Sequence, residues 1–396
     1  MDVHSIAQEK KLMKKRKICV VVNSRANYGR IKSVLRAVQN HPDLELKLIA
    51  GASALLWRFG NVAEQIKTDG FQVDAVVYSI VEGENPTTMA KSTGMGIMEL
   101  ATQFENIKPD IVITVADRFE TMATAIAASY MNIPLAHTQG GEVTGSIDES
   151  VRHAITKLAH IHFPATARAR ENVIRMGEDP QKVFLTGCPS IDIVADLDLT
   201  LPDDLLLRYG GVGPSLDIRK PYLVVMQHPV TTEFGGGMAQ INETLQAIKA
   251  LHMQTIWLWP NVDAGSDDIS KGLRMFRENE NPDFVHFYRN FSVEHYAQLI
   301  GNCACLIGNS SSGIREGSFL GVPAVNTGTR QAGREQANNC INTGYNHQEI
   351  EDAIRHHINN GRYPSDTLYG DGQAGERIAD ILADVDMNIQ KKLMYS

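Results

Sequence analysis

At 396 residues, 43% of them hydrophobic, the chain is long enough for two domains of ordinary size with a core in each. A net charge of −8 argues against a nucleic-acid partner, and five scattered cysteines form neither a disulfide framework nor a Cys-x-x-Cys metal pair, so a reducing, cytoplasmic setting is expected. No apolar stretch approaches bilayer-spanning length and the N-terminus lacks the apolar centre of a signal peptide, so no membrane partner is expected.

The basic cluster Lys10, Lys11, Lys14, Lys15, Arg16 and Lys17 reads as a solvated leader before the first strand. Strand-like apolar runs then alternate with helical patterns at 18–22, 46–50, 74–77, 111–115, 133–136, 161–163 and 183–186. This βαβ rhythm implies a parallel sheet covered on both faces. A polar stretch bearing Pro and Gly, Asp196 to Lys220, reads as an inter-domain linker with a short helix. The rhythm restarts at 222–226, 255–259, 284–287, 305–308 and 324–327, which predicts an α/β protein of two doubly wound domains facing a cleft.

The segment Pro134 to His153 strings a Gly-Gly turn and several carboxylates between a buried strand and an amphipathic helix. The run ending at Val115 leads into Ala116, Asp117 and Arg118, which sets a second carboxylate and a guanidinium at a neighbouring strand's carboxyl end, where open α/β sheets bind ligands. The first strand runs into NSRANYGR rather than Gly-x-Gly-x-x-Gly, and no Walker A pattern exists, so neither a nicotinamide cofactor nor a P-loop is expected. Gly211 to Pro214 follows no strand. No cofactor or metal is called for; His153, His160 and His162 read as core or surface histidines, and Cys303 and Cys305 as small core residues.

Gly308-Asn309-Ser310-Ser311-Ser312-Gly313 leaves a strand and opens a helix, which makes its free N–H groups and hydroxyls a phosphate site; capping by one serine accounts for one hydroxyl only. Arg25, in the loop after the first strand, is the candidate guanidinium on the opposite wall, since its fork donates two hydrogen bonds at once. Asp148 and Arg152 share a helix face at i,i+4 spacing, which ordinary helix electrostatics also accommodates; it leaves Asp117 unexplained.

From about Lys15 to Gly372 the chain resembles the hydrolysing UDP-N-acetylglucosamine 2-epimerases, including the epimerase half of the bifunctional enzyme that begins sialic acid synthesis. The resemblance is carried by NSRANY (23–28), DRFE (117–120), GGEVTG (140–145), IDESVRHAITK (147–157), GCPS (187–190), QHPVTT (227–232), PNVDAG (260–265), GNSSSGIRE (308–316) and GTRQAGRE (328–335), all in matching order. It implies the GT-B architecture: an N-terminal Rossmann-like domain, 1–195, rejoined by a C-terminal helix, 376–396, and a UDP-binding domain, 196–375. It also implies a UDP-sugar substrate and a homo-oligomer, dimer or tetramer. By resemblance Ser310 and Ser311 hold the pyrophosphate, Glu316 accepts from ribose hydroxyls, Arg25 and His228 contact the nucleotide sugar, and Arg330 and Arg334 lie on the closing loop. Surface pairing with Glu335 is the bland account of the two loop arginines, and turn formation that of Asn261 and Asp263.

The expected reaction removes UDP from C1 and the proton from C2, leaving a 2-acetamidoglucal to which water adds, releasing N-acetylmannosamine. Asp117, Asp148, Glu142 and His228 are the expected catalytic groups, with Arg118 and Arg152 as neighbouring cations. Many relatives carry a glutamate directly before the Gly-Gly pair, whereas this chain has Gln139, which cannot act as a base. Either Glu142 takes over part of that role, or Asp117 and Asp148 are the essential acids and Gln139 binds substrate or tunes it toward a UDP-N,N'-diacetylbacillosamine. A glycosyltransferase of the same architecture would not need the carboxylates; a non-hydrolysing epimerase is the nearest competitor.

Overall fold

A computed structural model describes residues 15–394. It contains two parallel six-stranded sheets. The first is built from β1 (Arg16–Val22), β2 (Leu44–Gly51), β3 (Ala75–Val77), β4 (Ile111–Val115), β5 (Leu135–Thr138) and β6 (Ile161–Phe163) in the order β3-β2-β1-β4-β5-β6. The second, from β7 (Leu223–Met226), β8 (Thr255–Leu258), β9 (Val285–Tyr288), β10 (Cys305–Gly308), β11 (Ala324–Thr327) and β12 (Cys340–Thr343), repeats that order with β7 and β10 at its centre. Chain order reverses between β1 and β4, and again between β7 and β10; a crevice at such a switch point is where doubly wound sheets bind ligands.

Burial on both faces explains why the central strands read as unbroken apolar runs. In β1, Ile18, Val20 and Val22 pack with helix Lys32–Asn40, while Cys19 and Val21 point the other way onto helices Pro86–Ile107 and Phe119–Tyr130. In β10, Cys305 and Ile307 join one core of the second domain and Leu306 the other. The helix Ala374–Asp384 returns to the first domain, where Ile378, Ala379 and Leu382 join the cluster of Ile18 and Val20.

Several expectations are corrected. The run 183–186 forms only one parallel bridge, Val183 to His162, because the first sheet ends at β6. Conversely β12 went unread: its four residues, CINT, are mostly half-buried at a sheet edge and carry no apolar run. The final helix spans 374–384 rather than 376–396. Arg16 and Lys17 belong to β1 rather than to a leader, and Arg16 donates to the carbonyls of Leu382 (2.5 Å) and Val385 (3.0 Å); Lys10, Lys11 and Lys14 lie outside the described residues. Among the described residues no helix is long and apolar enough to cross a membrane.

Candidate active site

The two switch points face each other across a cavity. Arg25, Asp117 and Arg118, from the loops after β1 and β4, line one wall; His228, Asn261, Ser310, Ser311, Glu316 and Arg330 line the other. A larger, more open cleft of about 710 Å³ runs beside it along Trp57, Trp259 and Arg289, without Asp117, Glu316 or the serine turn.

The strand ends are shaped to aim these groups. Ala116 and Gln139, directly after the neighbouring β4 and β5, both have φ of 61°, a left-handed conformation that costs a non-glycine residue about 1 kcal/mol. Asp117 follows the first of these kinks and is buried. Its Oδ2 accepts from Arg152 Nε (3.1 Å) and Nη2, and its Oδ1 lies 3.8 Å from Arg30 Nη1. Burial alone would raise its pKa, but Arg152, Arg30 and Arg334 outweigh that and hold it well below the ordinary carboxylate value. Asp148 is the opposite case. Burial, followed by the Asp117 charge, pushes its pKa up to about 6, with Arg330 at 3.7 Å only partly compensating.

His228 is fixed by Asn309, whose side chain accepts from the His228 N–H (2.7 Å) and donates to its carbonyl (2.8 Å). Its Nδ1 accepts from the Asn261 N–H (3.2 Å), which leaves the ring proton on Nε2. Burial, then the charges of Arg330, Arg25, Arg118 and Arg30, lowers its pKa well below the ordinary value, so the ring is a neutral donor at pH 7. The serine segment differs from the expected helix: it forms a 3₁₀ turn, Ser311–Gly313, capped by the Ser310 hydroxyl, before the one-turn helix Glu316–Phe319. Ser311 Oγ accepts from Arg30 Nη2 (2.8 Å), and Glu316 Oε2 has no hydrogen-bond partner among the described residues.

Four expected site residues stand behind this lining. Arg152 is fully buried and serves Asp117, Glu149 and the Glu142 carbonyl; the anticipated Asp148–Arg152 pair is not formed, because Asp148 sits beside Arg330 from the other domain. Gln139 is buried with Nε2 donating to Cys188 Sγ (3.4 Å). Glu142 is held by Arg315 (2.5 Å) and Arg334, so Arg334 is not a surface partner of Glu335. Asp148 is the fourth: it does not line the cavity itself but stands 3.7 Å from Arg330, which does. Arg118 donates to Glu120 and to Asp263 of the second domain, which gives Asp263 a cross-domain role.

A family model for UDP-N-acetylglucosamine 2-epimerase matches residues 36–383. The chain belongs to that family. It is 32% identical over 375 residues to a hydrolysing UDP-N,N'-diacetylbacillosamine 2-epimerase of Legionella pneumophila, covering 95% of this chain and 97% of the relative. It is 30% identical to a UDP-N-acetylglucosamine 2-epimerase of Neisseria meningitidis over 93% of this chain and 95% of that one. The fold matches the Methanocaldococcus jannaschii UDP-GlcNAc 2-epimerase, crystallised with UDP-GlcNAc and UDP, at a TM-score of 0.76 and 16% identity, covering 92% and 99% of the two chains.

Two residues of this family member escaped the sequence reading. Arg30 bridges Asp117 and Ser311, and Asn309 holds His228. Arg30 follows Arg25 after a short helix, Arg25–Gly29, so a second cation one and a half turns on was the available signal. Asn309 carried none, since its partner lies 81 positions away.

Proposed function

We propose that this protein is a hydrolysing 2-epimerase of a UDP-2-acetamidohexose, releasing UDP and the 2-epimeric free sugar through a 2-acetamidoglucal. The observation that carries the reading is the meeting, in one cavity, of Asp117 on the first domain with Ser310, Ser311 and His228 on the second. Diphosphate departing from C1 needs donors at its oxygens; the serine turn, Arg25, Arg330 and the Nε2 proton of His228 provide them. The positive character that grows on the sugar needs a permanent anion, which Asp117 supplies because its arginine partners keep it ionised. The C2 proton needs an acceptor whose basicity lies near neutrality, which is the property of Asp148. Loss of UDP from C1 and of the proton from C2 leaves the glycal; water then places hydroxyl on C1 and hydrogen on the opposite face of C2. Glu316 accepts from the ribose hydroxyls in this arrangement.

UDP-N-acetylglucosamine is the first reading for the sugar. The Legionella relative, similar along nearly the whole chain, favours a second, UDP-N,N'-diacetylbacillosamine. Proton NMR in deuterated water with each nucleotide sugar separates them. Free sugar carrying deuterium at C2, with stoichiometric UDP, is the expected result for one of the two. Interconversion of UDP-sugars without UDP release would replace the hydrolysing reading by a non-hydrolysing one.

A further inference from the structure

We infer that Glu142 is a positioning residue: it clasps the closing loop of the second domain to the first and thereby places Arg330 at the reaction centre. Its carboxylate is buried, and Oε2 accepts from two guanidiniums of the other domain, Arg315 (2.5 Å) and Arg334. Arg315 directly precedes Glu316, and Arg334 lies on the loop that carries Arg330. The residues after Glu142 complete the clasp. Gly145 N–H donates to the Arg330 carbonyl (3.1 Å), and the backbones approach so closely that a Cβ at Gly145 would meet the Thr329 carbonyl oxygen at 1.9 Å. A Cβ at Gly333 would likewise meet Val143 at 2.9 Å.

The consequence falls on Arg330. With its carbonyl held by Gly145, its guanidinium reaches the Asn309 carbonyl (3.2 Å) and Asp148 (3.7 Å), joining the serine turn to the carboxylate on the first domain. Glu142 itself does not line the cavity, and both its guanidinium partners belong to the opposite domain. Its carboxylate therefore bears on how the domains close rather than on how either one folds.

The inference rests on the cleft being a UDP-sugar site, so calorimetry of UDP with the wild-type protein comes first; absence of binding there overturns that reading and not the clasp alone. Given wild-type binding, Glu142→Gln and Arg334→Gln are each expected to weaken UDP by about 10- to 100-fold, with a double variant no weaker than the worse single one, as for two partners of one interaction. KM should rise more than kcat falls. Hydrogen exchange should quicken at 143–147 and 328–335 while β1 and β7 stay protected, a pattern that general destabilisation would not produce. Gly145→Ala, which keeps Glu142 but obstructs the approach, should reproduce the loss and carries the test if Glu142→Gln does not fold. Unchanged UDP affinity in Gly145→Ala and Arg334→Gln overturns the clasp. So does a Glu142→Gln enzyme that binds UDP normally but loses about 1,000-fold in kcat, the mark of a proton-transfer group.

Discussion

Asp117 lines the cleft and Asp148 stands behind it beside Arg330; their proton affinities are opposite, and the cause is the company each keeps. Two guanidiniums contact Asp117, whereas Asp148 has a single cation at 3.7 Å and the Asp117 charge nearby. The base role proposed for Asp148 requires it to be ionised, so on that proposal kcat/KM should rise about tenfold per pH unit up to about 6 and level off above it. In Asp148→Asn turnover should collapse and the residual activity should lose that limb; a limb that persists would remove Asp148 from the proton transfer. Asp117→Asn should lower kcat by about 1,000-fold while UDP affinity is largely retained. The same shifts have stability signs. The Asp117 pKa is depressed on folding, so its contribution is present above the ordinary value of 3.8 and is lost as pH falls below it. The Asp148 pKa is raised, so the native protein holds a proton that the unfolded chain releases, and that contribution is lost as pH rises from about 3.8 through about 6.

At the scale of elements, strand ends and one returning helix do most to locate the site. Gly308 ends β10 with φ of 120°, and a Cβ there would meet the Met226 carbonyl oxygen at 2.1 Å. That close contact of β10 with β7 puts Asn309 under His228 and the serine turn beside it. The helix Ala374–Asp384 supports the first wall from behind, since it packs on Lys32–Asn40, the helix that follows the Arg25 and Arg30 turn. Leu382 is fully buried there. Leu382→Ala should cost about 2–5 kcal/mol by cavity formation, read as a lower denaturation midpoint with the urea slope unchanged. A loss below about 1 kcal/mol would mean that the helix is only loosely attached.

At the scale of the whole molecule, the cavity exists only because the two sheets are brought carboxyl edge to carboxyl edge. Arg25 to Asn261 (2.8 Å), Arg30 to Ser311 (2.8 Å), Arg118 to Asp263 (2.9 Å) and the Glu142 clasp all cross between the domains. Burial, together with neighbouring arginines, pulls the Arg25 and Arg30 pKa values down to about 10: these guanidiniums are desolvated and crowded by like charge, and need more negative charge than Asp117 alone supplies. A diphosphate meets that need. UDP at 100 times its Kd should therefore stabilise the protein by about 2.7 kcal/mol, read as a rise in Tm, and Ser310→Ala/Ser311→Ala should lose most of the rise. An equal rise in that double variant would place the diphosphate elsewhere.

The sequence by itself determined the two sheets and the candidate list. Runs buried on both faces are continuous and apolar, and groups at the ends of β1, β4 and β10 follow those runs within a few residues, so local pattern was enough for Arg25, Asp117 and Ser310, while His228 after β7 was singled out by the family resemblance. It could not supply β12, whose edge position needs no apolar run, or the partners of residues distant in the chain. Asp148 with Arg330, Glu142 with Arg315 and Arg334, and His228 with Asn309 join segments 81 to 192 positions apart. Helical spacing suggested Asp148 with Arg152, but a buried guanidinium takes the carboxylates that tertiary packing brings to it, and those were Asp117 and Glu149. The tertiary structure alone decided which candidates line the cavity and which stand behind it, because that depends on how two independently legible domains close on each other.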